Sequence, residues 1–303
     1  MSLRHFGIAG EIITPPFSFV ATSHAIRWAG ATPVFADIDP VTLNLDPAAV
    51  EAAITDRTEA ILAVHCYGVP CNTAALAAIA SRHGLKLIYD AAHAFGVRRG
   101  GRPIVAEGDL SVLSFHATKV FNTFEGGAII SPDRETKVAL DRLGNYGILD
   151  EVTVLETGLN TKMSELNAAV GLALLPHMDA AFAARDRVAT RYWEALSQVE
   201  GVTCLCPPGQ KGHNSYAFPV LVGEAYPMTR DGLYQRLREH DLFARRYFYP
   251  LISDMPMYHH LPSAAPDALT VARRAADRIL CLPLYPDLDP VDLDRVIEVI
   301  RRP

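Results

Sequence analysis

Lys86-Leu87-Ile88-Tyr89-Asp90 and Leu113-Ser114-Phe115-His116-Ala117-Thr118-Lys119 decide how this chain is read. The first run is an apolar strand that ends in a carboxylate. The second is a strand leading to a lysine a few residues past its end. In open α/β sheets, ligands sit outside the carboxyl ends of the strands, so Asp90 and Lys119 are expected to face one crevice. The same two residue types also make ordinary structural ion pairs, and neither alone decides between the readings. The surroundings favour chemistry. Phe115, Val120, Phe121 and Phe124 give Lys119 an apolar, partly aromatic context. A lysine in such a pocket has a lowered pKa and is a better amine nucleophile. Gly126-Gly127 follows, where bare backbone permits either close approach of a ligand or a tight turn into the next strand.

Outward from these runs the first half alternates short β-branched segments with amphipathic ones. Strands are expected at Thr32–Asp37, Ala60–His65, Lys86–Tyr89, Leu110–Phe115 and Ala128–Ser131, and helices at Ser18–Trp28, Pro47–Ile54 and Thr73–His83. Asp46-Pro47 is a helix start, a capping Asp followed by Pro at the first helical position. Gly84 after His83 is a helix stop. Apolar strands interleaved with helices predict an α/β fold, a mainly parallel sheet with helices on both faces. From Ser164 the pattern turns helical, as Glu165–Leu175, Pro176 and His177–Val199, and the proline marks a kink or boundary. Strands near Val202–Leu205 and Tyr216–Val222 and helices near Arg230–Glu239 and Pro290–Arg301 then predict a smaller C-terminal α+β domain. The expected division is 1–175 for the large domain and 176–303 for the small one.

The chain has 303 residues, half of them hydrophobic, and a formal net charge of −6. No block of Lys or Arg suggests a nucleic-acid partner. An anionic substrate therefore needs a local site, because the global field does not attract it. The five cysteines, Cys66, Cys71, Cys204, Cys206 and Cys281, include no Cys-x-x-Cys pair and read as reduced structural thiols. No zinc spacing occurs, and the adjacent His259-His260 do not suggest a metal site. The opening residues are too broken in hydrophobicity for a signal peptide or membrane span, and no later stretch runs uncharged for a span's length while staying apolar. The expectation is a soluble, cytoplasmic protein.

At this point the sequence resembles the DegT/StrS family of sugar aminotransferases. The resemblance is carried by Ile13-Thr14-Pro15-Pro16-Phe17-Ser18-Phe19-Val20-Ala21-Thr22, Pro33–Asp39, His65-Cys66-Tyr67-Gly68 and Tyr89-Asp90-Ala91-Ala92-His93-Ala94. Ser114–Lys119, Glu125-Gly126-Gly127 and Gly158–Met163 extend it, in the family's order and over nearly the whole chain. The resemblance implies a fold-type-I aminotransferase that uses pyridoxal 5′-phosphate. By position, Lys119 matches the lysine that forms the Schiff base, and Asp90 the aspartate that pairs with the pyridine nitrogen and keeps the ring an electron sink. Ser114 matches a hydroxyl on the cofactor phosphate, Phe19 the aromatic that stacks on the ring, and His93 a group that contacts the ring or its hydroxyl. Asn160 matches an asparagine that reaches the neighbouring subunit's phosphate, which implies a homodimer with a shared site. Tyr249 lies in Arg245-Arg246-Tyr247-Phe248-Tyr249-Pro250, a segment that members place near the sugar.

One departure is expected to matter. Members begin with a helix and a Gly-Thr loop whose backbone amides cradle the cofactor phosphate. Here Leu3–Gly10 matches the segment after that helix, so Ser114 and a partner's Asn160 are left to hold the phosphate. Two readings follow. One is a transaminase with ping-pong kinetics, carrying an amino group from an amino acid, glutamate by resemblance, to C4 of a dTDP-4-keto-6-deoxyhexose. The other is a shortened, non-catalytic relative that dimerises or binds sugar nucleotide without the cofactor. A related dehydratase is disfavoured because the Schiff-base lysine is present.

Overall fold

Strands β1 (Glu11–Thr14), β2 (Thr32–Phe35), β3 (Thr58–Val64), β4 (Lys86–Asp90), β5 (Leu110–Ser114) and β6 (Gly127–Ile130) form one sheet in the order 2-1-3-4-5-6. This is a computed structural model, and it describes residues 1–209 and 212–302. The first five strands pair in parallel, and only β6 runs antiparallel, against β5. Parallel strands are buried on both faces, and the sequence of β3 and β4 supplies a near-continuous apolar run for that. Neighbouring residues point to opposite faces. Ile13, Ile61, Leu87 and Tyr89 therefore meet Leu76 and Ile79 on one side, while Ile12, Leu62, Ile88 and Leu110 meet Leu3, Ile26 and Leu140 on the other. The layers are helices α1 (Ala21–Trp28), α2 (Pro47–Ala53) and α3 (Thr73–His83).

The local signals act as their chemistry requires. The Asp46 carboxylate accepts from Ala48 N at 3.0 Å and Pro47 opens α2. Gly84 ends α3 in the left-handed region at φ 68°, and its N–H donates to Ala80 O. Several elements of this half leave no pattern in the sequence, among them a strand of the main sheet and a helix. Strand β1 spans only four residues and begins at the charged Glu11, which Arg57 and Thr55 hold. Helix α4 (Arg134–Leu143) buries only Leu140 and Leu143, too few to set a visible apolar period.

Pro176 sits in the single turn of 3-10 helix, Leu175–His177, that joins α5 (Glu165–Leu174) to α6 (Met178–Leu196). Beyond it β7 (Val202–Cys204), β8 (Phe218–Val222) and β9 (Ile279–Leu282) form an antiparallel sheet in the order 9-8-7. Its core joins Tyr192, Phe218, Val220 and Leu280 to residues of α7 (Arg230–Glu239) and α9 (Pro290–Arg301). Strand β9 and the helix before it, α8 (Thr270–Arg278), were not expected. The segment between α7 and α8 returns to the first sheet. Phe248 and Leu251 pack with Phe17 and Tyr67, Tyr258 meets Phe35 edge-on, and Ile252 N donates to Pro16 O at 3.0 Å. These contacts lie just beyond the carboxyl ends of β1, β2 and β3, so the second half closes over the end where the sheet opens.

By length and composition alone, the helical run Glu165–Leu196 contains a stretch long and apolar enough to cross a membrane, with a mean hydropathy of 1.3 and only 11% of it buried, although Glu165 and Asp179 keep any uncharged run in it shorter than a span. Pro176 interrupts the run as it is read along the sequence, and the helix continues through the turn. Leu166 and Leu172 are 75% and 70% exposed. Contiguous exposed apolar surface of this kind marks a binding face in soluble proteins as readily as a lipid contact.

Candidate active site

Asp90 closes β4, and its two carboxylate oxygens are held apart by different donors. Thr22 Oγ1, in the first turn of α1, donates to Oδ2 at 2.8 Å, and Ala92 N donates to Oδ1 at 3.0 Å. Thr22 also shares a 2.9 Å hydrogen bond with the buried Ser18 hydroxyl. Each carboxylate oxygen keeps a lone pair for a further donor. Three residues on, His93 is buried, and its Nδ1 accepts from Tyr67 N at 3.2 Å. Its ring stacks on Tyr216 at 4.0 Å and lies parallel to Phe248 at 6.1 Å. Burial, and to a lesser degree Lys119, pushes the His93 pKa well below its usual value, so the ring stays neutral. Behind it Asn214 Nδ2 donates to His93 O at 2.8 Å, across Gly68. A Cβ on Gly68 would stand 2.6 Å from Asn214 Oδ1 and 2.9 Å from His93 O, and its φ is +80°. Only glycine fits there.

Lys119 lies past the end of β5, in a turn where its N–H donates to His116 O at 2.9 Å. The half-buried amine is 5.5 Å from the centroid of the Tyr216 ring. Desolvation lowers its pKa, and the nearby Asp90 carboxylate opposes part of that shift. The apolar environment is therefore present, but its source differs from the sequence reading. Phe121 is buried against Phe95 at 4.3 Å, Phe115 meets both edge-on, and Phe124 is 61% exposed. The ring beside the amine comes from Tyr216, which lies nearly a hundred residues away. Of the aromatics adjacent in sequence, Phe115 and Phe121 pack on Phe95 and on each other, and Phe124 is exposed.

Lys119 opens onto a cleft of about 540 Å³ between the two halves, lined also by His177, Arg185, Arg245, Tyr247 and Tyr285. Among the described residues no Asp or Glu lines it. Arg185 is buried and donates to Ser215 O at 2.9 Å and Tyr216 O at 2.7 Å, and burial lowers its pKa to about 10. The hydroxyl of Tyr67 donates to the carbonyl of Tyr247, tying the crevice floor to the cleft wall. This local excess of cations, in a chain of net charge −6, is an anion-accepting site.

The remaining expected residues are spread more widely. Ser114 is half-buried at the end of β5, and its Oγ accepts weakly from His116 N at 3.4 Å. Phe19 is 59% exposed just before α1, so it is not a core residue. Asn160 is exposed in an isolated bridge with Asn145 and does not line the Lys119 cleft. Tyr249 lies beneath the guanidinium groups of Arg230 and Arg246, at 4.5 and 5.5 Å from its ring centroid. From its segment it is Arg245 and Tyr247 that line the cleft. The Gly126-Gly127 pair serves the strand: a Cβ on Gly127 would meet Leu113 O at 2.7 Å. Sequence reasoning gave no role to Thr22, Tyr67, Arg185, Tyr216, Arg245 or Tyr247. For Thr22 a signal existed, since Ser18 and Thr22 are spaced as neighbours on one helical turn. For the others the partner is remote in sequence.

A family profile described as the DegT/DnrJ/EryC1/StrS aminotransferase family matches residues 1–301. The chain is 47% identical over 300 residues to a dTDP-4-amino-4,6-dideoxy-D-glucose transaminase of Shigella dysenteriae, covering 99% of this chain and 81% of that protein. An Escherichia coli protein of the same description is 48% identical over 291 residues, covering 95% of this chain and 78% of its own length. Among solved structures, DesI in the presence of its TDP-sugar product superposes with a TM-score of 0.92 at 38% identity, covering 99% of this chain and 76% of that one.

Proposed function

The chain belongs to the DegT/DnrJ/EryC1/StrS aminotransferase family, and from that premise we propose that it transfers an amino group from an amino acid, glutamate, to C4 of a dTDP-linked 4-keto-6-deoxyhexose. The family is pyridoxal-phosphate-dependent, and the chemistry of the donor set fits that group. A lysine amine biased toward its neutral form stands near a carboxylate with acceptor capacity to spare, beside a neutral, flat imidazole. The half-buried amine of Lys119 near Asp90 is the observation that carries the reading.

When bound, pyridoxal phosphate supplies an electron sink that makes the carbon bearing the nitrogen acidic. The chain's own residues do the rest. Lys119 Nζ holds the cofactor, takes the proton from Cα of the amino donor, and later delivers one to C4 of the sugar. Its lowered pKa places the amine nearer the pH at which it both accepts and returns a proton. Asp90, fixed by Thr22 and the Ala92 amide, keeps the pyridine nitrogen protonated. His93 is assigned to the ring or its hydroxyl, Phe19 to stacking, Ser114 to the phosphate and Tyr249 to the sugar. Asn160 is assigned to the phosphate in a second subunit. The exposed Leu149, Val152, Val154, Leu159, Leu166 and Leu172, in the segments before and after it in sequence, are apolar surface available to a homodimer with shared sites. The cofactor-binding domain is taken as 1–175 and the small domain as 176–303, divided at the Pro176 turn, and the enzyme is placed in the cytoplasm with its nucleotide-sugar substrate.

The test is borohydride reduction after incubation with excess pyridoxal phosphate, followed by peptide mapping. A visible band that reduction abolishes, with the label on Lys119, is the expected result. No band and no label would leave a non-catalytic sugar-nucleotide-binding protein.

A further inference from the structure

Arg245 and Arg246 are adjacent in sequence and differ completely in their partners. Arg246 Nη1 donates to Asp231 Oδ1 at 2.9 Å, and its guanidinium lies 4.5 Å from the Tyr234 ring centroid. The Arg245 side chain has no hydrogen-bond or ion-pair partner among the described residues, and it lines the Lys119 cleft. Its backbone is nonetheless fixed. Arg245 N donates to Cys281 O at 2.9 Å, and Cys281 N donates to Arg245 O at 2.7 Å, which anchors the residue on the edge of β9.

We propose that Arg245 binds the α-carboxylate of the amino donor and so sets the enzyme's preference for an amino acid in the first half of its cycle. This inference rests on the aminotransferase reading of the site. Of the other basic groups of the cleft, Arg185 donates to two carbonyls, Lys119 is needed as an amine, and the His177 imidazole has no fork of parallel donors. Among the described residues no carboxylate lines the cleft to neutralise Arg245. A planar guanidinium presents parallel N–H donors that match a carboxylate bidentately, a geometry an ammonium lacks. The bonding of the substrates decides which anion it meets. The donor's carboxylate is attached to Cα, the atom that Lys119 must reach. In the sugar nucleotide the diphosphate is attached at C1, across the ring from the reacting C4. A guanidinium in the same cleft as the Lys119 amine is therefore placed for the carboxylate, and the neutral hydroxyls of the sugar occupy the space in the second half-reaction.

The experiment uses the full chain loaded with pyridoxal phosphate and follows each half-reaction alone, in wild type, Arg245→Gln and Arg245→Lys. Arg245→Gln is expected to raise the glutamate concentration for half-saturation by about tenfold to a hundredfold, the size of a lost charge-assisted pair. The keto-sugar half-reaction should keep its half-saturation. Arg245→Lys should recover part of the loss, since the charge returns without the fork. Binding of glutarate, measured by titration calorimetry, gives a readout that needs no turnover, and it too should weaken in Arg245→Gln. A variant that weakens the sugar half-reaction and spares the donor would assign Arg245 to the diphosphate and overturn the inference. So would equal donor and glutarate affinities in wild type and Arg245→Gln with unchanged circular dichroism. Failure of the Lys119 label would instead sink the enzyme reading itself. An unchanged donor affinity in a protein that does carry the label sinks only the role of Arg245.

Discussion

The two sides of Lys119 are built on opposite plans. On the sheet side the polar groups satisfy one another: Asp90 is held by Thr22 and Ala92, His93 by Tyr67, and Asn214 braces the chain behind them. On the cleft side, among the described residues, Arg245 has no such partner and no carboxylate lines the cleft. The difference follows from what each side receives. Groups that stay with one permanently held ligand gain from being fixed in advance, since they then need no reorganisation during the reaction. A group that must bind and release an anion in every cycle gains from having no competing partner in the protein. Under the proposed function, this asymmetry suits a lysine that serves a resident cofactor and two exchanging substrates.

That contrast makes predictions of graded size. The largest effect belongs to the residue shared by both sides. Lys119→Ala should lower transamination at least about ten-thousandfold, and a half-reaction at wild-type rate would break the mechanism outright. On the fixed side, Asp90→Asn keeps the shape and removes the charge. Single-turnover rates should fall about a hundredfold to a thousandfold while cofactor absorbance remains, as for the loss of one preorganised electrostatic group. Thr22→Val is milder. It takes one donor from Asp90 Oδ2 and should cost about tenfold in kcat, with Thr22→Ser restoring most of it. Equal rates in Thr22→Val and wild type would mean that the fixed side does not need its fixing.

The smallest effect near neutral pH concerns stability beneath that side. His65 is fully buried, stacks on Tyr89 at 4.5 Å, and burial lowers its pKa to about 3. The folded protein keeps this ring neutral, whereas the unfolded chain protonates it near pH 6.5. Between pH 6.5 and about 3 the unfolded state therefore holds the extra proton. Its contribution to stability is lost as pH falls through that window, by about 1.4 kcal/mol per pH unit. Urea unfolding of wild type and His65→Phe at a series of pH values checks this. The variant brings a constant offset from lost contacts, and its stability should fall less steeply with acid. Parallel curves would show that His65 does not titrate in this way.

Much of the fold was legible because the signals that carry it are local. The apolar runs of β3, β4 and β5, the Asp46-Pro47 start and the Gly84 stop each depend on a few neighbouring residues, and each lies where it was read. Strand β1 and helix α4 escaped because four residues, or two buried positions, make no period. The placement of Asp90 at the end of β4 and of Lys119 past the end of β5 was legible because each follows directly from a local apolar run. What surrounds them was not. The Thr22 hydroxyl reaches Asp90 across 68 residues of sequence, and Tyr216 and Arg245 come from the second half. Sequence spacing carries no information about contacts between remote segments. Of the aromatic residues beside Lys119 in the chain, Phe115 and Phe121 pack on Phe95 and Phe124 is exposed. By itself the sequence determined the strand order of chemistry, a carboxylate and then an amine at the open end of one sheet. Only the tertiary structure decided that the amine sits near the Tyr216 ring and shares a cleft with Arg245, because closure of the second half over the strand ends is what brings those groups together.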